Sequence, residues 1–223
     1  MGIVNRTPDS FFDGGSTYSL ESAVSAALRA VAAGAGWVDI GGVPFSPDTP
    51  EVSEAEELDR VLPVVAAVAA ASDVVVSVDT FRPEVVAQSI AAGAAVVNDT
   101  TGLHHPELAV GLGVPEERIV IDPGHDLNKN TLHTLELTRR LSAIAALGLP
   151  LLAAVSNKDL VGESTGRAKA DRREASIAAA TVCVLQGARI IRMHDVAGAC
   201  ADVALLEAVA GFRTPTGLVH NMS

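Results

Sequence analysis

Aromatic residues are scarce. Only 3% of the 223 residues are Phe, Trp or Tyr, too few for a broad platform on which nucleic-acid bases could stack. Cations are scarce too: 16 Lys and Arg stand against 27 Asp and Glu, and a formal net charge of −11 repels phosphate backbones and anionic membranes alike. Neither nucleic acid nor membrane is an expected partner. The two cysteines, Cys183 and Cys200, match no metal or redox spacing and cannot make a disulfide framework, so they are expected to be reduced packing residues. No unbroken apolar run reaches about 18 residues, and the chain opens on Gly2-Ile3-Val4-Asn5 rather than on a basic segment and an apolar one. The cytoplasm is the expected location.

Small apolar residues are plentiful. With 48% hydrophobic residues the chain is long enough to bury a full core, and residues 1–223 read as a single domain. The pattern is clearest at Val74–Arg82, VVVSVDTFR, where a β-branched run too apolar to have a solvent face ends in Asp79 and Thr80 before Pro83, a typical first helical residue. The same pattern recurs. Trp37–Ile40 ends near Asp39 and Gly41-Gly42, Ala94–Val97 in Asn98-Asp99, Ile119–Ile121 in Asp122-Pro123-Gly124, Leu151–Val155 in Ser156-Asn157-Lys158, and Ile190–Met193 in His194-Asp195. With Met1–Val4 this makes seven strands, each tipped by polar residues and separated by helical sequence. A closed (β/α) barrel with its site on one face is expected, with a doubly wound sheet as runner-up; no G-x-G-x-x-G or P-loop follows any strand.

Between the strands, Ser19 is expected to cap a helix with the stripe Leu20, Val24, Leu28 and Val31, and Ser53 to open one carrying Leu58, Val61, Leu62 and Val65 with a kink or restart at Pro63. Further helices are expected from about Pro83 to Ala92, in short form at Pro106–Val110, from a Thr131 cap to Gly148, from an Asp171–Glu174 capping box through Ile177, Val182 and Leu185, and at about Val203–Val209. Asn5–Ser16 reads as a loop, with Phe11 and Phe12 either as a flap or as its anchor.

Asp79, Asn98, Asp122 and Lys158 converge if all lie at strand ends. Their donors and acceptors suit an amino-pyrimidinone ring, although a strand-end Asp or Asn also caps a following helix. Arg192 and His194 alternate along one strand and so project the same way, as a phosphate or diphosphate site would need. His104-His105, His125-Asp126 and His133 lack the spacing of a zinc site. Mg²⁺ held through diphosphate and water, with one contact from Asn5, is the better expectation.

These motifs resemble the dihydropteroate synthase family of pterin-binding TIM barrels. Met1–Gly15, MGIVNRTPDSFFDGG, is similar to the family's first-loop signature, and Ser77-Val78-Asp79-Thr80, Asn98-Asp99, Ile121-Asp122-Pro123-Gly124, Ser156 with Lys158, and Arg192 with His194-Asp195 follow in the family's order. The resemblance implies a (β/α)8 barrel and a transferase that joins p-aminobenzoate to 6-hydroxymethyl-7,8-dihydropterin diphosphate in folate biosynthesis. It implies that Asp79, Asn98, Asp122 and Lys158 hold the pterin, with Asp79, Asp122 and Lys158 as the catalytic set. Asn5, Arg192 and His194 would handle diphosphate, Asn5 would touch Mg²⁺, and the protein would be a homodimer.

Several positions depart from the family. Its second loop reads Gly-Gly-Glu-Ser-Thr-Arg-Pro-Gly, where this chain has Gly41-Gly42-Val43-Pro44-Phe45-Ser46-Pro47-Asp48. Its Ser-Arg-Lys is Ser156-Asn157-Lys158 here, and His125-Asp126 replace a more apolar stretch. These changes spare the pterin side and alter the p-aminobenzoate side, which makes a pterin-binding paralogue with lost or altered activity the first rival. A corrinoid- or folate-dependent methyltransferase is the second. The link from Asn98 to Ile119 is too short for one strand-helix unit of the family; either the barrel is incomplete there or the sequence as given omits residues.

Overall fold

The computed structural model describes residues 1–7, 18–44, 51–101 and 114–217. The Phe11-Phe12 loop, the altered residues Phe45–Asp48 and the expected helix at Pro106–Val110 lie outside them.

Parallel strands β1 (Gly2–Asn5), β2 (Trp37–Gly41), β3 (Val75–Asp79) and β4 (Val96–Asn98) form one sheet in the order β1-β2-β3-β4. Helices α1 (Leu20–Ala32), α2 (Glu54–Ala71) and α3 (Pro83–Ala91) connect them, the alternation the sequence predicts. The second half is built more sparely. Ile121 bridges Leu151, β5 (Leu152–Ala153) pairs with β6 (Ile190–Ile191), and Met193 bridges back to Gly2, with the Met1 amino group donating to the Ile191 carbonyl at 2.9 Å. The barrel thus closes on β1. Among the described residues no pairing joins β4 to the Ile121 stave, which is where the short link falls. The expected strands at Ile119–Ile121 and Leu151–Val155 are correspondingly shorter than their apolar runs, because an isolated bridge fixes fewer residues than a full ladder.

Val4, Ile40, Val76 and Val78 pack with Val61, Val64, Val65 and Val68 of α2 in one fully enclosed cluster; Leu141, Leu151, Val155, Ala180, Cys183 and Met193 form a second. Each such side chain contributes on the order of 1.5–3 kcal/mol by leaving water. Several expected helix faces are corrected here. α1 fully buries Ala23 and Ala27, packs Val24 and Val31 of the expected stripe beside them, and leaves Leu20 exposed. The helix Arg173–Leu185 buries Ser176, Ala180 and Cys183 and leaves Val182 and Leu185 in solvent.

Cap positions moved as well. Asn130, not Thr131, caps the helix Thr131–Arg139, accepting from the His133 amide, and the expected continuation breaks at Arg140 before Leu141–Ala145. The Asp171–Glu174 capping box does not form: Lys169–Asp171 is a 3₁₀ turn and Arg172 is drawn elsewhere. The last helix starts at Val196, seated on an Asp195 cap. α2 continues without a restart through Pro63. Proline there removes the donor to the Asp59 carbonyl, and Arg6 Nη1 replaces it, donating to Asp59 O at 3.0 Å.

Both cysteines are unpaired thiols, and burial pushes the Cys183 thiol up to about 11. Among the described residues no helix is long and apolar enough to cross a membrane.

Candidate functional site

Strand register sets the site. Asn5 pairs with Gly41, Gly41 with Asp79, and Asp79 with Asn98, so three of the sequence-predicted residues stand at one level on the C-terminal rim. Asn5 Oδ1 lies 3.1 Å from where a Gly41 side chain would start, with the Asp79 carboxylate also within 4 Å of that point. Any larger residue at Gly41 would push these groups apart.

One layer deeper, Asp39 pairs with Ser77 and shares the inward face of Gly41. Its side chain is fully buried. Asp39 Oδ2 accepts Arg192 Nε at 2.7 Å and Asn98 Nδ2 at 3.0 Å, while Arg192 Nη2 reaches Asp79 Oδ2 at 3.3 Å. The guanidinium therefore ties the first half of the barrel to the last strand. Enclosure and the Asp39 charge raise the Asp79 carboxyl to about 7 against the pull of Arg192.

On the opposite side, the Asp122 carboxylate accepts the Gly124 amide at 2.8 Å and Lys158 Nζ donates to the His125 carbonyl at 2.7 Å. Burial raises the Asp122 pKa and lowers that of Lys158. Each partly offsets the other's shift, and Arg192 acts on both. Asp79, Asn98, Asp122, Lys158 and Arg192 are thereby one electrostatic cluster. His194 does not share a fork with Arg192: its Nδ1 pairs with Ser156 Oγ at 2.9 Å, whereas Arg192 is held by two carboxylates.

Four residues to which the sequence reading gave no role in the site support this arrangement. Asp39 is marked in the sequence only by an acid inside an apolar strand, in phase with Gly41. Arg172 donates to the carbonyls of Asn157 and Lys158 at 3.2 Å and fits over Gly162, where a Cβ would lie 2.0 Å from its guanidinium. Glu57, 1% exposed, pairs with Arg82 at 2.5 Å, and Arg82 also donates to the Val52 carbonyl at 2.6 Å. Arg60 donates to the Gly42 carbonyl at 2.8 Å, fixing the start of the loop after β2.

His125 is fully buried, neither ring nitrogen has a hydrogen-bond partner, and burial together with Lys158 lowers its pKa to about 4. Among the described residues no three His, Cys, Asp or Glu side chains gather as a metal cluster. The rim carries the Asn5 amide oxygen, a hard oxygen of the kind a cation ligated mainly by diphosphate and water would take.

A family model described as "Pterin binding enzyme" matches residues 1–110 and 104–194, two stretches that meet in the short link after β4. An inactive dihydropteroate synthase 2 of Mycobacterium tuberculosis is 34% identical over 274 residues, covering 100% of this chain and 86% of the relative. The dihydropteroate synthase of Escherichia coli is 35% identical over 254 residues, covering 93% and 90%. Both aligned spans exceed the chain's 223 residues, so the relatives carry internal sequence that this chain lacks. In structure, Yersinia pestis dihydropteroate synthase in a sulfonamide drug complex superposes with a TM-score of 0.90 at 35% identity, covering 95% of this chain and 94% of that one. The Xanthomonas albilineans enzyme in complex with 7,8-dihydropteroate gives 0.84 at 34%, covering 96% and 94%. Sequence, strand register and three-dimensional likeness agree: the chain belongs to the dihydropteroate synthase family and has its (β/α)8 barrel fold.

Proposed function

We propose that the protein binds 6-hydroxymethyl-7,8-dihydropterin diphosphate at the strand tips and transfers its pterinylmethyl group to an arylamine, p-aminobenzoate in the family reaction. The observation that carries this reading is the cluster of Asp79, Asn98, Asp122 and Lys158 around Arg192. A planar heterocycle with several N–H groups and a carbonyl needs both acceptors and donors, and these four strand-end side chains are of both kinds. In the reaction the methylene C–O bond breaks and its electron pair leaves with diphosphate. The arylamine nitrogen then forms the new C–N bond and gives up one proton.

Asp79, Asp122 and Lys158 hold the ring that carries the developing cation. Asn5 and His194 face the diphosphate, with Arg192 behind them supplying positive potential. Mg²⁺, held by Asn5 and by the diphosphate itself, would neutralise the leaving group. The helices Arg173–Leu185 and Val196–Val209 leave Leu185, Leu205 and Val209 more than 60% exposed, an apolar surface that supports a homodimer. A reducing cytoplasm suits the two unpaired thiols.

The test is product formation: the full chain with dihydropterin diphosphate, Mg²⁺ and p-aminobenzoate should release one diphosphate per dihydropteroate formed. A second reading, a pterin-binding paralogue without synthase activity, is favoured by the replaced second-loop Thr and Arg and by likeness to the inactive mycobacterial protein. Pterin binding with no product would decide for it.

A further inference from the structure

The ladder between β5 and β6 stops one bond short of His194. Leu152 pairs with Ile190 and Ala153 with Ile191, and the amides of Ile190 and Arg192 donate to the carbonyls of Leu151 and Ala153 at 3.1 and 3.0 Å. The next bond of a regular parallel ladder would run from the His194 amide to the Val155 carbonyl. That amide donates instead to a side chain, Ser156 Oγ, at 3.1 Å. The same Oγ lies 2.9 Å from His194 Nδ1, so one hydroxyl meets both the backbone and the ring of one residue. Both residues line a cavity of about 620 Å³, yet Ser156 is only 9% exposed.

Valency decides which way the second bond runs. A hydroxyl has two lone pairs and one hydrogen. The His194 amide takes one lone pair, and among the described residues the ring nitrogen is the one acceptor bonded to the hydroxyl. An Nδ1–H turned towards Oγ would leave the hydroxyl hydrogen without a protein acceptor at a position almost closed to water, at a cost of about 1–3 kcal/mol. The hydroxyl therefore donates, Nδ1 accepts, and the proton of the neutral ring stands on Nε2. Ser156 is itself held in place through its neighbour: the Asn157 amide donates to Ser176 Oγ at 3.0 Å and the Asn157 carbonyl accepts Arg172 Nη1 at 3.2 Å.

We propose that Ser156 is a positioning residue for the transfer reaction: its hydroxyl holds His194 as the neutral Nε2–H tautomer, so that the ring meets the diphosphate with a hydrogen to donate rather than with a lone pair. Arg192, tied by two carboxylates, supplies positive potential, and His194 supplies the directed donor. As the methylene C–O bond breaks, negative charge builds on the diphosphate oxygen and this hydrogen bond strengthens without any proton changing hands. The proposal rests on the reading of the strand tips as a dihydropterin diphosphate site.

The test has two parts, both on the full chain. With isotopically labelled histidine at pH about 8.5, well above the ordinary imidazole value, nuclear magnetic resonance reads which ring nitrogen carries the proton, and His194→Gln identifies the signals. The wild-type ring is expected to be protonated at Nε2 alone, and Ser156→Ala to give a mixture of the two tautomers. Calorimetric titration then compares 6-hydroxymethyl-7,8-dihydropterin diphosphate with Mg²⁺ against 6-hydroxymethyl-7,8-dihydropterin, which lacks the leaving group. Ser156→Ala is expected to bind the diphosphate about tenfold more weakly and the alcohol as the wild type does, a split that a general loss of structure would not produce. A wild-type proton on Nδ1 overturns the proposal without need of the variant. So does a Ser156→Ala chain that keeps a single Nε2–H tautomer, keeps its diphosphate affinity, or weakens for both pterins alike. If the wild type binds neither pterin, the pterin-site reading falls and this proposal with it; if it binds both and Ser156→Ala shows no split, this proposal alone falls.

Discussion

Arg192 Nε sits 2.7 Å from Asp39 Oδ2, deep enough that the carboxylate has no contact with solvent. Asp39 touches no expected substrate atom, but it decides where the guanidinium lies, and Arg192 in turn acts on Asp79, Asp122 and Lys158. Asp39 is a positioning residue. Asp39→Asn leaves a buried cation half-paired, so unfolding in urea should show a loss of about 3 kcal/mol. Dihydropterin diphosphate affinity should fall at least about tenfold. The conservative Asp39→Glu should recover part of the stability and little of the affinity, since its longer arm displaces Arg192. Unchanged affinity in Asp39→Asn would show that Arg192 needs no positioning.

His125 sets a pH dependence whose sign follows from its burial. Its pKa is lowered to about 4 in the folded chain from 6.5, so between those values the unfolded chain takes up a proton that the folded one refuses. Its contribution is full above pH 6.5 and is lost as pH falls towards 4. Asp79, raised to about 7, runs the other way, binding its proton in the folded state first. The two oppose each other as pH falls, and Asp122, also raised, acts on the Asp79 side. His125→Phe removes one side of that balance and should gain about 2–3 kcal/mol relative to wild type between pH 7.5 and pH 4.5. Parallel stability curves for the two proteins would contradict this.

Asp122→Asn and Lys158→Met should separate binding from folding. Each charge acts on the other, so losing either removes part of the other's compensation and is expected to lower pterin affinity by roughly ten- to a hundredfold. The two losses should be less than additive in the double variant, since the partner is already unpaired. Full additivity would place the residues in separate sites.

Glu57→Gln tests the scaffold behind the loops. Glu57 is 1% exposed and pairs with Arg82, which also holds the Val52 carbonyl. Breaking a buried pair on one side should cost about 3–5 kcal/mol, read as a lower urea midpoint with unchanged slope. A loss under about 1 kcal/mol would mean that solvent reaches the pair.

The strands were legible because a parallel barrel buries them on both faces, and β-branched runs such as Val74–Val78 have no other place to go. Their tips were legible for the same reason: Asp79, Asn98 and Asp122 interrupt apolar sequence at the depth where the barrel opens. Helix faces were not. In an Ala-rich chain the faces against the sheet are chosen for smallness, so Ala23 and Ala27 displaced Leu20, and Ala180 displaced Val182. Asp39 and Glu57 were hidden because their partners, Arg192 and Arg82, lie 153 and 25 residues away, and no local pattern joins them. Asn157 showed in sequence as a replaced arginine. Only the structure shows that its amide oxygen is buried and unpaired.

The most direct measurement is a calorimetric titration of the full chain with 6-hydroxymethyl-7,8-dihydropterin diphosphate and Mg²⁺, repeated with Asp122→Asn. Saturable binding of one pterin per chain, lost or weakened at least about tenfold in the variant, is the expected result. No saturable binding by the wild-type chain, or binding indifferent to Asp122, would contradict a pterin site at the strand tips.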